Sequence, residues 1–255
     1  DEQTKAMEEV KNSFDIFNVF LLHGITGSGK TEVYIKLVSE VLKNGKTVIM
    51  LVPEITLTTQ IVKRFYECFG DNVAIFHSGL SDGEKADEYN KILRDEAKIV
   101  VGTRSSIFVP LKNIGLIIID EEHTSSYKQE NNPRYHAVDM AIFRAKYNNC
   151  PIVLGSATPR LETMARAKKG VYKYLSLKNR VGNARIPKIK LVDLASSYKN
   201  GDTILSTELQ VKIMKTLERN EQVMLLLNRR GYSTIITCAS CGYTYKCPHC
   251  DITLT

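Results

Sequence analysis

The sequence predicts an α/β fold in which helices cover both faces of a parallel sheet. Short apolar segments typical of buried strands alternate with helical stretches along residues 1–180. A glycine-rich loop, Gly24–Thr31, lies between one such strand and a helix. An acidic block, Asp120–His123, follows another strand. Parallel strands present their carboxyl ends at one edge of a sheet, which is where open α/β sheets bind ligands.

The elements follow from two patterns of apolar residues. Continuous apolar runs predict buried strands, and apolar residues at every third or fourth position predict helices. The predicted strands are Val19–Leu22, Thr47–Val52, Val73–Phe76, Ile99–Val101, Leu116–Asp120, Ile152–Leu154 and Tyr172–Leu175. The predicted helices are Thr31–Lys43, Leu57–Phe69, Asp82–Arg94, Ala137–Tyr147 and Leu161–Lys169.

A change of pattern near residue 180 predicts a domain boundary. Lys178–Lys188 contains Gly182 and Pro187 and is typical of a linker. A second β–α–β pattern follows at Ile189–Val192, Thr207–Arg219 and Gln222–Leu227. We therefore predict a complete first lobe at 1–180, a linker at 181–187, the start of a second lobe at 188–236 and a cysteine-rich module at 237–255.

The glycine-rich loop matches G-x-x-x-x-G-K-[ST], which binds phosphate when a strand precedes it and a helix follows. Backbone N–H groups of such a loop converge on phosphate oxygens, and the helix N-terminus adds a positive dipole. An ordinary glycine-rich turn is the alternative, and the flanking strand and helix disfavour it. Lys30 is expected to reach the β- and γ-phosphates of ATP, and the Thr31 hydroxyl to ligate Mg²⁺. The other candidate phosphate-binding residues are Gly24, Thr26, Gly27, Ser28 and Gly29.

Two further strand ends carry polar side chains that suit the same chemistry. Asp120 is expected to hold Mg²⁺, largely through water, and Glu121 to orient or deprotonate the attacking water. An acidic strand end alone is common and carries little information, but here it follows a phosphate loop. Ser156 and Thr158, after the strand Ile152–Leu154, are small hydroxyls able to relay nucleotide state. His123 is expected to link the carboxylates to them, with a structural hydrogen bond as the alternative.

Loops after the strands hold candidate nucleic-acid contacts. Arg104, in Gly102–Ser106, offers a guanidinium to phosphates. Helix capping by serine and threonine is the alternative for its neighbours. Tyr127–His136 is a polar, proline-containing segment that includes Tyr127, Arg134 and Tyr135. Packing on the surface is the alternative reading for these tyrosines.

Composition is that of a globular protein with an anionic partner. The 255 residues carry a formal net charge of +7 and have a pI of about 9.0, which weakly favours a polyanion such as DNA. No apolar run approaches the roughly 18 residues of a membrane span, and no signal-like N-terminus is present. Of six cysteines, four form two C-x-x-C pairs, a pattern that indicates Zn²⁺. Those four are Cys238, Cys241, Cys247 and Cys250.

At this point the chain resembles a known family, the primosomal protein N′ helicases of superfamily 2, which restart bacterial replication forks. The resemblance runs from about Gln3 to the last residue. It rests on the motifs GITGSGKTEVY, LVPEITLTTQ, FHSGL, GTRSSIF, IIDEEH with SSYKQ, GSATP with LET, and LLNRRGYS before the paired cysteines.

The resemblance implies two RecA-like lobes, the second truncated here, that use ATP to move on single-stranded and forked DNA. It implies a cytoplasmic bacterial protein whose partners are the primosome and single-strand-binding proteins, with no membrane partner. Gln3 is then the adenine-side glutamine, and the Tyr127–His136 segment an aromatic-rich loop that senses DNA and adjusts the ATP site. The catalytic arginine of the second lobe lies outside this chain, so we expect the isolated chain to be weakly active or inactive.

Three departures from the family pattern bear on these expectations. Val138 stands where an arginine is usual, and Arg160 where a small residue is usual. Family members also carry an N-terminal DNA-binding region, the remainder of the second lobe and a C-terminal domain. The spacing between the cysteine pairs is short for one four-cysteine site, so each pair is expected to serve a different Zn²⁺, as in the family; a single site is the alternative.

Two other functions are compatible with parts of this pattern. Another superfamily 2 translocase, such as a restriction or recombination motor, would share the motor motifs but generally lacks the cysteine module. A non-hydrolysing zinc and DNA adaptor would keep the fold without the chemistry. The presence of Lys30, Thr31, Asp120 and Glu121 together argues against a loss of the hydrolytic chemistry.

Overall fold

The structure, a computed structural model, describes residues 1–53, 60–77, 79–180, 188–193 and 205–226. The chain divides into two compact units, Asp1–Arg185 and Ile186–Thr255. Each unit is described by itself below.

The first unit alternates strands and helices. Its strands are β1 (Val19–Gly24), β2 (Thr47–Leu51), β3 (Val73–Phe76), β4 (Ile99–Gly102), β5 (Ile114–Ile119), β6 (Lys128–Gln129), β7 (Tyr135–His136), β8 (Ile152–Ser156) and β9 (Lys173–Leu177). Its helices are α1 (Glu2–Lys11), α2 (Lys30–Lys43), α3 (Gln60–Phe69), α4 (Asp82–Leu93), α5 (Ala137–Tyr147) and α6 (Leu161–Lys168). Short 3₁₀ turns span Gly70–Asn72, Arg104–Phe108 and Ser125–Tyr127.

Within the described residues, seven strands form one parallel sheet in the order β3-β4-β2-β5-β8-β1-β9. Register brings the carboxyl ends of the central strands together, since Ile119 is level with Leu51 on one side and with Leu154 on the other. Leu154 is in turn level with Leu21 of β1. The glycine-rich loop, the acidic block and the Gly155–Pro159 segment therefore leave the sheet at the same edge. The predicted α/β class with a parallel sheet is confirmed.

Side chains of alternate strand residues enter two cores, one on each face of the sheet. Phe20 and Leu22 of β1 pack with α1, α2 and α3, whereas Leu21 packs with α5 and α6. All of these side chains are fully buried. Because each buried apolar side chain contributes about 1.5–3 kcal/mol, both faces contribute to holding the central strands in register.

A half-buried cation fixes the segment that follows β4. The Arg144 guanidinium, from α5, donates to the carbonyls of Ile107, Val109 and Leu111, at 2.6 Å for Val109. Burial lowers the pKa of Arg144, and the carbonyl oxygens supply the acceptors that water would otherwise provide. The 3₁₀ turn Arg104–Phe108 is thereby attached to α5.

The second unit departs from the predicted β–α–β pattern. Helix α7, Thr207–Glu218, lies where a helix was predicted, with Ser206 accepting a bond from the Leu209 N–H as its N-cap. Residues 188–193 and 221–226 form no strand, so the strand predictions at Ile189–Val192 and Gln222–Leu227 are wrong over those residues. Ile189 and Leu191 are 83% and 92% exposed. An apolar run becomes a strand only when a partner strand satisfies its backbone, and the described part of this unit contains none.

Candidate nucleotide-binding site

A cavity of about 570 Å³ opens at the carboxyl edge of the sheet. It is lined by the glycine-rich loop and the first turn of α2, by the acidic block, and by two residues from elsewhere. The lining residues are Gln3, Thr26, Gly27, Ser28, Gly29, Lys30, Thr31, Glu32, Arg64, Asp120 and Glu121.

The loop has the backbone conformation that a phosphate cradle needs. Gly27 and Gly29 have φ values of 80° and 86°, in the left-handed region that only glycine enters without strain. Gly29 is also the N-cap of α2, and the first-turn residues Lys30, Thr31 and Glu32 line the cavity. The buried Ser28 hydroxyl has no hydrogen-bond partner in the described part of the chain. An anion is the ligand that this set of donors accommodates.

Two side chains brace this loop from inside the cavity. Lys30, whose side chain is 10% exposed, donates from Nζ to the Gly24 carbonyl at 2.8 Å and lies 3.9 Å from Glu121 Oε1. The Gln3 side-chain amide donates to the Ser28 carbonyl at 3.0 Å. Gln3, predicted on the adenine side, thus contacts the loop backbone directly.

Asp120 is the most buried carboxyl that lines the cavity, at 6% exposure. Its Oδ1 accepts a hydrogen bond from the Tyr34 hydroxyl at 3.0 Å, and its backbone carbonyl accepts one from the Tyr127 hydroxyl at 2.6 Å. Burial raises the pKa of the Asp120 carboxyl to about 6, and the neighbouring charge of Glu121 adds to the rise. Burial also raises the pKa of Tyr34 well above its usual value, so Tyr34 remains a donor.

The Tyr34–Asp120 pair explains the glycine of the third motif. A Cβ at Gly155 would lie 1.7 Å from the Tyr34 hydroxyl oxygen. Any side chain at this position of β8 would displace the tyrosine from the carboxylate.

The acidic block turns sharply after Asp120. Glu121 has φ 47°, a left-handed conformation that a non-glycine residue adopts only when its surroundings impose it. The turn places Glu121 Oε2 3.5 Å from His123 Nδ1, and that same nitrogen is 2.8 Å from Ser156 Oγ. Ser156 Oγ also accepts the Thr158 N–H at 3.0 Å. The structure therefore brings together Glu121, His123, Ser156 and Thr158, all of which the sequence had singled out.

Glu122 connects the block to a different region. Fully buried, it accepts from the Arg160 N–H at 2.9 Å and from the Thr163 hydroxyl at 3.0 Å. The Arg160 guanidinium in turn lies 2.9 Å from His136 Nε2, in the hairpin formed by β6 and β7. Burial and the Arg160 charge lower the pKa of His136, which favours the neutral ring as an acceptor.

The loops predicted to contact nucleic acid form one surface beside this hairpin. Arg104 donates to the carbonyls of Lys128 (2.7 Å) and Ser126 (3.3 Å), so it anchors the start of the hairpin. Its guanidinium carbon lies 6.0 Å from the centroid of the Tyr135 ring, which packs edge-on against Phe108 at 5.0 Å between centroids. Phe108 is 56% exposed.

The remaining predicted residues are placed as follows. Tyr127 is 1% exposed, so its side chain is part of the core beneath Asp120 and is not a surface contact. Arg134 is exposed on the hairpin, in a 520 Å³ groove that Lys128 also lines. Cys238, Cys241, Cys247 and Cys250 lie outside the described residues. Among the described residues, no group of three or more His, Cys, Asp or Glu side chains is placed to hold a metal ion.

Sequence reasoning missed several residues of the site. They are Tyr34, Arg64, Phe108, Glu122, Arg160 and Thr163. Arg64 lies outside every quoted motif, whereas the others lie in or directly beside one and were given no role in the site. Two signals for the Tyr34–Asp120 contact were present in the sequence, a glycine at 155 within a strand and a tyrosine on the apolar face of α2. Neither signal identifies its partner by itself.

A family model described as "Type III restriction enzyme, res subunit" matches residues 1–161. The chain belongs to this family. The match covers the first unit up to the first residue of α6, including the glycine-rich loop and the acidic block.

Similar sequences extend over the second unit as well. The "Replication restart protein PriA" of Bacillus subtilis is 55% identical over 100% of this chain and 32% of its own length. That of Synechocystis is 46% identical over 94% of this chain and 30% of its own length. The predicted resemblance to the primosomal family is confirmed. The chain spans about a third of the length of these curated relatives.

Solved structures show the same fold at low identity. "Structure of RecG bound to three-way DNA junction" has a TM-score of 0.53 at 21% identity, covering 86% of this chain and 31% of that one. The Pyrococcus furiosus Hef helicase domain has a TM-score of 0.50 at 19% identity, covering 85% and 47%. The predicted RecA-like fold is therefore confirmed. In the described part of the chain, no helix has the length and apolar character needed to cross a membrane.

The buried carboxyl of Asp120 generates a prediction about stability. Its folded pKa of about 6 exceeds the ordinary value of 3.8, so ionising it costs the folded state free energy. The cost is absent below about pH 4 and complete above about pH 6. Without divalent metal at neutral pH, Asp120→Asn is therefore expected to raise the free energy of unfolding by about 1–3 kcal/mol.

The measurement is urea denaturation in EDTA between pH 5 and pH 7.5, with the exposed Asp87→Asn as control. The gain from Asp120→Asn should grow from pH 5 to a little above pH 6 and then level off, whereas the control should show no such trend. A gain that does not change with pH would mean that Asp120 is already ionised throughout, contrary to the raised pKa.

Proposed function

We propose that this chain carries the ATP-hydrolysing lobe of a DNA helicase of the replication-restart type. The observation that supports the proposal most is the convergence of Lys30, Asp120 and Glu121 around one cavity behind a glycine-rich loop. The relatives named above support the replication-restart class, and the fold supports a superfamily 2 motor.

Each part of Mg·ATP can be matched to residues of the site by their hydrogen-bond donors and oxygen ligands. The loop N–H groups and Lys30 bind the β- and γ-phosphates. Mg²⁺ takes oxygen ligands, which fits the Thr31 hydroxyl and the Asp120 carboxylate, and when bound it neutralises phosphate charge. Entry of the triphosphate replaces Glu121 as the partner of Lys30 and frees that carboxylate.

Glu121 then orients a water molecule toward the γ-phosphorus and accepts its proton. The new bond is from the water oxygen to phosphorus, and the bond that breaks is from phosphorus to the β–γ bridging oxygen, so ADP leaves with that electron pair. The left-handed backbone at Glu121 aims its side chain at the loop rather than into the sheet.

The surface beside the hairpin is the proposed path of single-stranded or forked DNA. The cations Lys128 and Arg134 suit phosphate contacts, and the exposed Phe108 with Tyr135 suits base stacking. Arg104 is better placed to hold this surface than to bind DNA alone, because two backbone carbonyls already engage its guanidinium.

One chain of contacts connects that surface to the acidic block, because Glu122 reaches the hairpin through Arg160 and His136. Glu121 is linked separately to Thr158, at the end of β8, through His123 and Ser156. Arg160, a departure from the family pattern, is thus the proposed positioning residue between the acidic block and the hairpin. Val138 lies buried two residues beyond His136 and donates its N–H to that ring at 3.3 Å.

The remaining assignments follow the relatives and the cysteine pattern. We propose Zn²⁺ at the two C-x-x-C pairs, the primosome and single-strand-binding proteins as partners, and the bacterial cytoplasm as location. The identity of the relatives over the whole chain favours this function over another superfamily 2 translocase. A non-hydrolysing adaptor remains the second class, and nucleotide binding separates the two.

The first prediction concerns nucleotide binding by the chain. Lys30→Ala should abolish binding of Mg·ATP, because it removes the cation at the β- and γ-phosphates. Displacement of a fluorescent ATP analogue measures this, with Lys43→Ala, at the far end of the same helix, as control. If the wild-type chain bound no Mg·ATP, the result would contradict the ATPase proposal and favour the non-hydrolysing adaptor.

The second prediction concerns coupling through Arg160. In the wild type, single-stranded DNA should change the affinity for an ATP analogue. In Arg160→Ala, the ratio of the affinities with and without DNA should be close to one. Affinity without DNA should change less than about twofold, since Arg160 does not line the cavity. Lys168→Ala, exposed on the same helix, is the control. If DNA changed the affinity as strongly in Arg160→Ala as in the wild type, Arg160 would not couple the acidic block to the hairpin.

The third prediction concerns the cysteine pairs. If each pair serves a different Zn²⁺ that further ligands complete, this 255-residue chain should hold less than one tightly bound zinc ion after dialysis against a mild chelator. Elemental analysis measures the content. One zinc per chain, lost entirely in Cys241→Ser, would instead establish a single site made by all four cysteines.

A further inference from the structure

Arg64 reaches the candidate nucleotide cavity from a helix that carries none of the motifs. It lies on α3, its side chain is 49% exposed, and it lines the cavity together with Lys30 and Glu121. Its Nη2 donates to Glu32 Oε2 at 2.8 Å. Lys63, the preceding residue, points elsewhere and pairs with Glu67 at 3.8 Å.

Arg64 shares the cavity with the residues assigned to the outer phosphates. Lys30 and Thr31 line it together with Glu121, and Glu32 directly follows Thr31 in the first turn of α2. The contact with Glu32 therefore holds the guanidinium beside a cavity whose lining suits the β- and γ-phosphates and Mg²⁺.

The charges of the lining show why a second cation matters there. The cavity is lined by two cations, Lys30 and Arg64, and by three carboxylates, Glu32, Asp120 and Glu121. Each cation is within 4 Å of a carboxylate, Lys30 of Glu121 and Arg64 of Glu32. A triphosphate adds further negative charge, so its binding is favoured when it replaces these carboxylates as the partner of both cations.

The Arg64–Glu32 pair is well suited to such an exchange. A half-exposed ion pair of this kind contributes little to stability, so little is lost when it opens. A guanidinium forms paired hydrogen bonds to phosphate at least as well as to carboxylate. Glu32 also has a second cationic neighbour in Lys36, at 3.7 Å, which can keep its charge paired after Arg64 leaves.

We propose that Arg64 binds the γ-phosphate of ATP and thereby makes the site distinguish ATP from ADP. In this assignment Glu32 holds the guanidinium beside the cavity until the triphosphate enters. The inference rests on the proposed nucleotide-binding function and adds a contact that the motifs do not predict.

The test compares the affinities of the 255-residue chain for ADP and for a β,γ-imido analogue of ATP, both with Mg²⁺, by displacement of a fluorescent nucleotide. Arg64→Ala should weaken binding of the triphosphate analogue about tenfold or more and that of ADP less than about twofold, because only the γ-phosphate contact is lost. Lys63→Ala is the matched control and should change neither affinity. Arg64→Lys should recover part of the loss.

A second variant tests the role of Glu32. Glu32→Gln removes the competing carboxylate, so it should strengthen binding of the triphosphate analogue relative to ADP. Unchanged affinities in Arg64→Ala would reduce Arg64 to a surface ion pair, and equal losses for both nucleotides would place its effect away from the γ-phosphate; either result overturns the inference. Lys30→Ala separates these failures from a failure of the proposed function, because nucleotide binding itself must depend on Lys30.

Discussion

The burial of the Asp120 carboxyl is the constraint around which the carboxyl edge of the sheet is built. The group has lost most of its water, and a single side-chain donor, the Tyr34 hydroxyl, compensates it. That donor comes from the helix that the glycine-rich loop begins, so the carboxylate and the loop are fixed to each other. The same contact requires the absence of a side chain at Gly155, which ties β8 to the arrangement. The requirements of one buried carboxyl thus determine residues in three separate motifs.

Charge balance extends this constraint to the rest of the cavity. Without ligand, Glu121 pairs with the lysine of the site and Glu32 pairs with the arginine. Such pairs let the site retain strongly charged groups at little cost in stability, and they are exchanged rather than broken when an anion binds. The charged residues of the cavity therefore serve ligand binding and contribute little to the stability of the fold, as expected where a site holds a desolvated charged group.

The sequence predicted those features that are encoded locally. The phosphate loop and the acidic block are continuous, and the positions of their strands follow from hydrophobic runs, so both were found with their places in the sheet. Tyr34 and Arg64 were not found, because their roles depend on partners 86 and 32 residues away and each is ordinary in its own helix. Tyr127 was recognised as special, but a periodicity cannot distinguish a buried tyrosine from one on a loop surface. The strands predicted in the second unit failed for a related reason, since an apolar run does not specify its partner.

The acidic block also shows how consecutive residues can serve separate tasks. Asp120 still belongs to the sheet edge, and the left-handed turn at Glu121 sends that side chain toward the loop lysine. Glu122 returns to the interior and bonds to α6, while His123 reaches Ser156 at the end of β8. Because the four residues share one short backbone segment, the contacts to the loop lysine, to α6 and to the end of β8 all depend on the same few peptide units. In the proposed motor, a shift of this segment on nucleotide binding would be the shortest physical connection from the cavity to those two elements.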